Sequence, residues 1–351
     1  MKRFSKLLLA GAAGAVLSFA AASTSMAAEF NFKFHHLLGP KSPAHTKMIV
    51  PWTERVMKDS GGRIAIEVFP SMSLGGKPPQ LVNQVNDGVV DFVWTVLGYT
   101  PGRFPRSEVF DLPFVHTNNP IATNMAMYDL LQNGMIAEDF KDVKVIALHV
   151  NAGQAIHTVD KPIHTVEDLK GLKLRIPTRT GGWIIEALGA NPVAMPVPEL
   201  PQALSKKVVD GAFIPWEIIP PLKIHELTKY QIEGENNTRF GTTTFMIAMN
   251  KDSYAKLPDD LKAVIDKNAG LDWWKEIGQI WTDSEKPGIK MAVDHGNEHI
   301  VIAGAELEKF RTALEPVVNR WVEEVTAKGI DGKALVAAAR EAIAKHSKEG
   351  M

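Results

Sequence analysis

Arg175 lies in a segment whose pattern places a basic side chain next to the start of a helix. The segment, Gly171–Leu200, reads GLKLRIPTRTGGWIIEALGANPVAMPVPEL. Apolar residues alternate with Lys173 and Arg175, which predicts a strand with both basic side chains on one face. Thr178 has the chemistry of a helix N-cap, and Gly189 suits a helix end. The segment therefore predicts strand, helix and a second short strand.

A guanidinium in this position favours a small anion. Ligands of open α/β sheets bind beyond the carboxyl ends of the strands. The planar fork of an arginine matches a carboxylate, and a nearby helix N-terminus adds free N–H groups and partial positive charge. The alternative is that Lys173 and Arg175 form an ordinary solvated face. Spacing alone leaves both interpretations open.

The chain carries none of the common short enzyme motifs: no G-x-S-x-G elbow, no H-E-x-x-H, no Walker loop and no G-x-G-x-x-G before a helix. The Gly-Gly-Lys at 75–77 is followed by two prolines, so no helix begins there to hold phosphate. His295 and His299 have the i, i+4 spacing of a metal pair on a helix, but further ligands are missing. His35 and His36 point apart on a strand. A triad assembled from distant residues stays open.

Several motifs in a fixed order carry a family resemblance. They read SGGRIAIEVFPSMSLGG, DGVVDFVWT, VFDLPFV, EDLKGLKLRIP, LGANPVAMPVPELPQAL and VVDG. Together they resemble the DctP family of solute-binding proteins, the periplasmic receptors of tripartite ATP-independent (TRAP) transporters. The resemblance covers nearly the whole mature chain. It implies a two-lobed α/β periplasmic-binding-protein fold with a ligand cleft between the lobes and a long bridging helix. It also implies that Arg175, in the K-x-R motif, holds the ligand carboxylate.

The resemblance places further ligand-binding residues in three segments, namely the N-terminal loop, the loop after the strand that begins at Val89, and the segment after VVDG. Apolar pockets with a few polar groups are typical of small-molecule sites. Plain core packing remains the alternative for each aromatic residue. The candidates are His36, Trp94, Thr95, Tyr99, Phe213, Trp216 and Glu217.

Glu217 is unexpected beside a carboxylate unless a cation or a ligand hydrogen lies between them. A bound Na⁺ or Ca²⁺ ion, with Gln154 as a further oxygen ligand, is therefore left open, although no dedicated metal site or cofactor is predicted. Sialic-acid receptors of this class carry a second arginine where Ala155 stands here. Phe213 and its neighbours also replace the Glu-Asn-Pro run of many members. Fewer polar groups favour a small organic monocarboxylate, a 2-hydroxy or 2-oxo acid that could be aromatic.

Residues 1–27 have the pattern of a secretory signal peptide. A basic start is followed by an apolar run from Leu7 to Ala22, and Ser25-Met26-Ala27 fits the small-x-small cleavage rule. An uncleaved membrane anchor is the alternative, but the run is somewhat short for a span. Cleavage after Ala27 would remove three of the 39 basic and none of the 40 acidic residues, which leaves a net charge of −4. We therefore expect a periplasmic protein.

Composition excludes several classes of protein. The 351 residues include no cysteine, which removes thiol nucleophiles, iron–sulfur clusters and thiolate zinc sites. No run of like charges suggests nucleic-acid binding. No later stretch is long and apolar enough to span a membrane.

Helical and strand patterns alternate along residues 31–95 in a βαβαβ order, which predicts a parallel sheet covered by helices. The pattern restarts around Arg175. Thr242–Met249 is predicted to return to the first sheet, and Leu257–His299 to form a long helical segment that Pro287 kinks or interrupts. Two C-terminal amphipathic helices follow. We assign residues 28–152 plus 242–281 to lobe I and residues 153–241 plus 282–351 to lobe II.

These expectations favour a non-enzymatic receptor that delivers an organic acid to the small and large membrane subunits of a TRAP transporter. One alternative is a receptor of the same fold that feeds a sensor kinase. Another is a periplasmic enzyme that uses a carboxylate such as Glu217 as a base. Monomer and dimer both stay open, because some family members pair through their C-terminal helices.

Overall fold

A computed structural model describes residues 27–349, which form eleven strands and eleven α-helices. The predicted signal peptide lies outside the described residues apart from Ala27. The strands are β1 (Phe30–His36), β2 (Ile64–Phe69), β3 (Phe92–Val96), β4 (Val143–Val150), β5 (Ala155–Thr158), β6 (Lys173–Ile176), β7 (Asn191–Ala194), β8 (Gly211–Ile214), β9 (Tyr230–Gly234), β10 (Thr244–Asn250) and β11 (Glu298–Ile302). The helices are α1 (Val50–Asp59), α2 (Leu81–Asn86), α3 (Pro120–Gln132), α4 (Arg179–Ala187), α5 (Leu200–Ser205), α6 (Ile219–Leu222), α7 (Lys251–Ala255), α8 (Asp259–Lys267), α9 (Leu271–Asp294), α10 (Gly304–Thr326) and α11 (Gly332–Glu349).

The first sheet has the strand order β2-β1-β3-β10-β4. Strand β1 pairs in parallel with β2 and β3, and α1 and α2 connect the three, so the βαβαβ prediction is confirmed. Strand β10 inserts between β3 and β4 and is antiparallel to both. The predicted return of Thr242–Met249 to this sheet is therefore correct. We call this sheet and the helices packed on it the first lobe.

The second sheet has the order β11-β9-β5-β8-β6-β7. Strand β6, which carries Arg175, pairs in parallel with β7 and β8, so it is an inner strand. Leu174, Arg175 and Ile176 are all buried, because both faces of the strand are covered. We call this sheet and its helices the second lobe.

Helix α9 bridges the two lobes. It packs against α3 and β4 of the first lobe, and against α6, residues 216–218 and β11 of the second. Close packing requires glycine at Gly288, where a Cβ atom would overlap the backbone carbonyl of Trp216. The bridging helix is therefore confirmed, and it continues through Pro287 without interruption.

The helical segment predicted for Leu257–His299 extends past the observed end of the helix. Helix α9 stops at Asp294 because Gly296 adopts a φ of 92°, and the chain then enters strand β11. His295 caps the helix and packs against His225, whereas His299 lies in the strand and its Nε2 contacts Glu233 Oε1 at 3.0 Å. The suggested helical metal pair of His295 and His299 is therefore wrong.

Helices α10 and α11 confirm the two C-terminal amphipathic helices. Helix α11 packs against α3 beside the first sheet, although the predicted division assigns residues 282–351 to lobe II. The boundaries 28–152 plus 242–281 and 153–241 plus 282–351 stay a prediction. Within residues 27–349, none of the helices combines the length and apolar character that a bilayer crossing requires.

A stack of aromatic rings lies in the first lobe, on the side that faces the second lobe. Trp94, His149 and Phe245, on three adjacent strands, lie nearly parallel, with ring centroids 5.2 Å apart for Trp94 and Phe245 and 4.8 Å apart for His149 and Phe245. Trp281 of α9 covers them, with its centroid 5.2 Å from that of His149. The indole Nε1 of Trp94 donates to His149 Nε2 at 2.8 Å. Burial lowers the pKa of His149 to about 3, so the imidazole is neutral and can accept this bond.

We predict that His149 makes the fold sensitive to acid. The folded imidazole stays neutral down to about pH 3, whereas in the unfolded chain it takes up a proton near pH 6.5. The contribution of the neutral imidazole to the free energy of unfolding is therefore complete above pH 6.5, and it is lost as the pH falls towards 3. Compared with His149→Gln, the wild type should lose about 1.4 kcal/mol of unfolding free energy per pH unit below 6.5. Denaturant titrations of both proteins from pH 8 to 4.5 measure this; parallel curves would contradict it.

Candidate functional site

A cavity lies between the two lobes, with about 400 Å³ of empty space that includes its opening to solvent. Most of its lining side chains are apolar or aromatic. They come from the loop after β1, from β3 and its following turn, from the ends of β4, β6 and β8, from β10 and from α9. The lining residues are Leu37, Leu38, Trp94, Val96, Tyr99, Asn151, Gln154, Arg175, Pro177, Val197, Pro215, Glu217, Ile218, Thr243, Phe245 and Trp281.

Arg175 reaches this cavity from inner strand β6 and is only 2% exposed. Its Nε donates to the carbonyl of Met195 at 3.0 Å, its Nη1 to the carbonyl of Phe213 at 3.5 Å, and its Nη2 to the hydroxyl of Tyr99 at 3.3 Å. Lys173, two residues earlier on the strand, is exposed. The interpretation of both residues as a solvated face is therefore wrong for Arg175.

No salt bridge neutralises the charge of Arg175 within residues 27–349, although the exposed Glu199 opposes the lowering of its pKa. All its hydrogen-bond partners are neutral oxygens, and burial, opposed by Tyr99, lowers its pKa. In contrast, Arg239 pairs with Glu233 and Glu285, and Arg179 pairs with Glu108 and Glu324. A buried cation without a counter-ion is costly, and an anion entering the cavity would supply one.

Contacts between the lobes surround this cation. Tyr99, in the turn after β3, accepts from Arg175 and also from the backbone N of Val197 at 2.8 Å. Gly98 lies so close to Thr178, the N-cap of α4, that a Cβ atom would overlap the threonine side chain. The lobes are therefore in direct contact beside the cavity.

The aromatic stack forms one wall. Trp94, Phe245 and Trp281 all line the cavity, and their rings are within 21° of parallel to one another. Such a wall offers flat apolar surface to a planar ligand. Arg175 and the aromatic wall together suit a molecule that has both a carboxylate and a ring.

Glu217 lines the same cavity, and its surroundings favour the protonated form of its carboxyl. Burial, and then repulsion from Glu285, raise the pKa of Glu217 well above its usual value. Glu285 accepts from the backbone N of Trp216 at 3.0 Å and from Arg239 Nη2 at 2.8 Å. A neutral Glu217 can share a cavity with a ligand carboxylate, since the two charges no longer repel each other.

Five of the nine candidate residues, namely Arg175, Trp94, Tyr99, Gln154 and Glu217, line the cavity together. The structure places the other four outside the lining.

Each of these four is turned away for a local reason. Thr95 follows Trp94 on a strand, so the two side chains alternate and only Trp94 faces the cavity. His36 Nε2 is paired with His45 Nδ1 at 3.0 Å. Trp216 Nε1 donates to Glu233 inside the second lobe, and Phe213 meets Arg175 only through its carbonyl.

Some lining residues carried a local signal that was overlooked. Val96 and Pro177 each lie two positions beyond a candidate, Trp94 and Arg175 respectively, so strand alternation could have found them. The signal for Trp281 and Phe245 was weaker, because these residues come from distant segments.

Within residues 27–349 there is no group of three or more histidine and acidic side chains that could hold a metal ion.

The sequence model of the family described as bacterial extracellular solute-binding protein, family 7 (DctP) matches residues 34–324. The chain belongs to this family. Members of DctP family 7 are transport receptors rather than enzymes, and the observed two-lobed fold agrees with the expected one.

Solved DctP-family structures resemble the chain over nearly its whole length. A TRAP solute-binding protein from Rhodoferax ferrireducens, in complex with copurified benzoate, is 44% identical, with a TM-score of 0.89 over 92% of this chain and 99% of that chain. A marine metagenome protein specific for aromatic acid ligands, in complex with metahydroxyphenylacetate, is 44% identical, with a TM-score of 0.88 over 90% and 99%. The C4-dicarboxylate-binding periplasmic protein DctP of Rhodobacter capsulatus is 24% identical over 90% of this chain and 93% of its own length.

We predict opposite stability effects for two neighbouring arginines. Arg175→Met should raise the unfolding free energy of the ligand-free protein by about 1 kcal/mol, because it removes a buried charge that no acid compensates. The matched change Arg179→Met should lower it by about 1–3 kcal/mol, because it leaves the buried Glu108 without its cationic partner. Denaturant unfolding of both variants measures these effects. A stability loss in Arg175→Met as large as that in Arg179→Met would show that Arg175 is mainly structural.

Proposed function

We propose that this protein is the periplasmic receptor of a TRAP transporter and that it captures a small organic monocarboxylate, in particular an aromatic acid. The observation that carries the proposal is the buried guanidinium of Arg175, which lines the interlobe cavity without an acidic partner in the described part of the chain. A ligand carboxylate would supply the missing negative charge through a bidentate, charge-assisted pair.

The aromatic preference is supported by two observations. Trp94, Phe245 and Trp281 present stacked rings to the cavity. In addition, the two solved relatives that are 44% identical to this chain bind benzoate and metahydroxyphenylacetate. A 25% identical receptor from Bordetella bronchiseptica binds both enantiomers of mandelate, a 2-hydroxy acid. Non-aromatic 2-hydroxy and 2-oxo acids stay within the proposed ligand class.

Ligand binding in the cavity would stabilise the contacts between the two lobes. Tyr99 of the first lobe bonds to Arg175 and Val197 of the second, so a carboxylate that fixes Arg175 would also favour the closed arrangement. The closed form would then be recognised by the small and large membrane subunits, which use an ion gradient. The receptor makes and breaks no bond, so the ligand should be recovered unchanged after release.

The binding test uses three variants and calorimetric titration with benzoate, 3-hydroxybenzoate, mandelate and pyruvate. Arg175→Ala should weaken binding of the best wild-type ligand at least about a hundredfold, the equivalent of roughly 3 kcal/mol for a charged hydrogen bond in a dry site. Arg175→Lys should recover only part of this, since an ammonium lacks the planar fork.

Lys173→Ala is the matched control, because Lys173 lies on the same strand with its side chain exposed. It should bind like the wild type. Undiminished affinity in Arg175→Ala would refute the role of this residue. Binding of none of the four acids by the wild type would refute the proposed ligand class.

A further inference from the structure

Within the described part of the chain, three buried polar atoms on side chains that line the cavity have no hydrogen-bond partner. They are Oε2 of Glu217, Oε1 of Gln154 and Nε1 of Trp281. The three residues are 3%, 1% and 2% exposed, so water does not replace the missing partners freely. Leaving a buried polar group unpaired costs roughly 1–3 kcal/mol. Three such groups in one cavity are available to pair with a ligand.

The structure holds each of these groups in place. Glu217 lies just after β8, and its backbone N donates to Glu285 Oε1 at 3.3 Å. Glu285 and Trp281 are four residues apart on α9 and therefore lie on the same side of the bridging helix. Gln154 Nε2 donates to Thr243 Oγ1 at 2.5 Å, which leaves its carbonyl oxygen for the cavity.

The chemistry of the three groups is complementary to a hydroxyl. Gln154 offers an acceptor and Trp281 a donor. The raised pKa of Glu217, caused first by burial and then by Glu285, favours the protonated carboxyl, which can donate as well as accept. A hydroxyl supplies one donor and two acceptor lone pairs, which no purely acceptor group such as a second carboxylate can do.

We propose that Glu217, Gln154 and Trp281 form a second subsite that recognises a hydroxyl group on the ring of the ligand, while Arg175 holds the carboxylate. The inference rests on the proposed function and narrows its substrate class to ring-hydroxylated aromatic acids. Glu217 is the residue that determines this specificity.

The test compares each hydroxyl ligand with an analogue of the same shape that cannot form hydrogen bonds. Calorimetry gives the affinities of 3-hydroxybenzoate against 3-methylbenzoate and of 4-hydroxybenzoate against 4-methylbenzoate, with benzoate as reference. In the wild type, at least one hydroxyl ligand should bind about tenfold or more tightly than its methyl partner, since one buried hydrogen bond is worth about that factor.

Variants of Glu217 and Gln154 show whether the preference for a hydroxyl ligand depends on hydrogen bonding or on shape. In Glu217→Leu, the ratio of hydroxyl to methyl affinity should fall to about one. Glu217→Gln should keep most of the preference, because an amide is neutral and offers both a donor and an acceptor. Lys173→Ala, at the exposed first position of β6, should keep the full wild-type ratio. If Glu217→Leu does not fold, Gln154→Met provides a second apolar replacement, and it should lower the ratio in the same way.

The two proposals fail in different ways. Wild-type binding of benzoate without a preference for either hydroxyl ligand would overturn the subsite and leave the receptor function intact. A ratio that is unchanged in both apolar variants would also overturn it. A wild type that binds no aromatic acid at all would overturn the proposed aromatic ligand and the subsite together.

Discussion

The uncompensated charge of Arg175 is the constraint on which the ligand cavity depends. A guanidinium that is 2% exposed normally pairs with an acid, as Arg239 does with Glu233 and Glu285. Arg175 has only neutral oxygen partners, two of them backbone carbonyls of its own lobe and one the hydroxyl of Tyr99 from the other. The fold thus keeps a positive charge available where the two lobes meet, and this is the property that an acid receptor needs.

The structure around Arg175 determines which anions can bind to it. The aromatic stack of Trp94, Phe245 and Trp281 is built from two strands of the first sheet and the bridging helix. It provides a rigid apolar wall, so an entering anion loses its water and must be matched in shape as well as in charge. Because α9 packs against both lobes, it holds this wall beside the second lobe, which carries Arg175.

Acidic side chains near the cavity do not cancel the positive charge. Glu285 accepts hydrogen bonds from Arg239 and from backbone N–H groups, and burial and Glu285 raise the pKa of Glu217. The pair therefore adds hydrogen-bonding capacity without a second full negative charge in the cavity. A protonated Glu217 would not repel an anionic ligand.

Local patterns were sufficient for several parts of the fold. The alternation in β1 to β3, the helices between them and the N-cap at Thr178 follow from the near-neighbour sequence, because periodicity and capping are properties of short segments. The end of α9 was predicted too late, since Gly296 competes with a longer helical pattern. The return of β10 to the first sheet was also predicted, from the apolar pattern of Thr242–Met249.

The sequence by itself determined the class of fold, the family and the choice of Arg175 as the central residue. Only the tertiary structure decided which neighbours share its cavity. Trp281 and Phe245 come from segments far along the chain, and Trp216 turns towards Glu233 instead of the cavity. The raised pKa of Glu217 was likewise not readable from its position, because a pKa depends on burial and on charges brought close by folding. Local sequence encodes local geometry, whereas the environment of a side chain exists only once distant segments have packed around it.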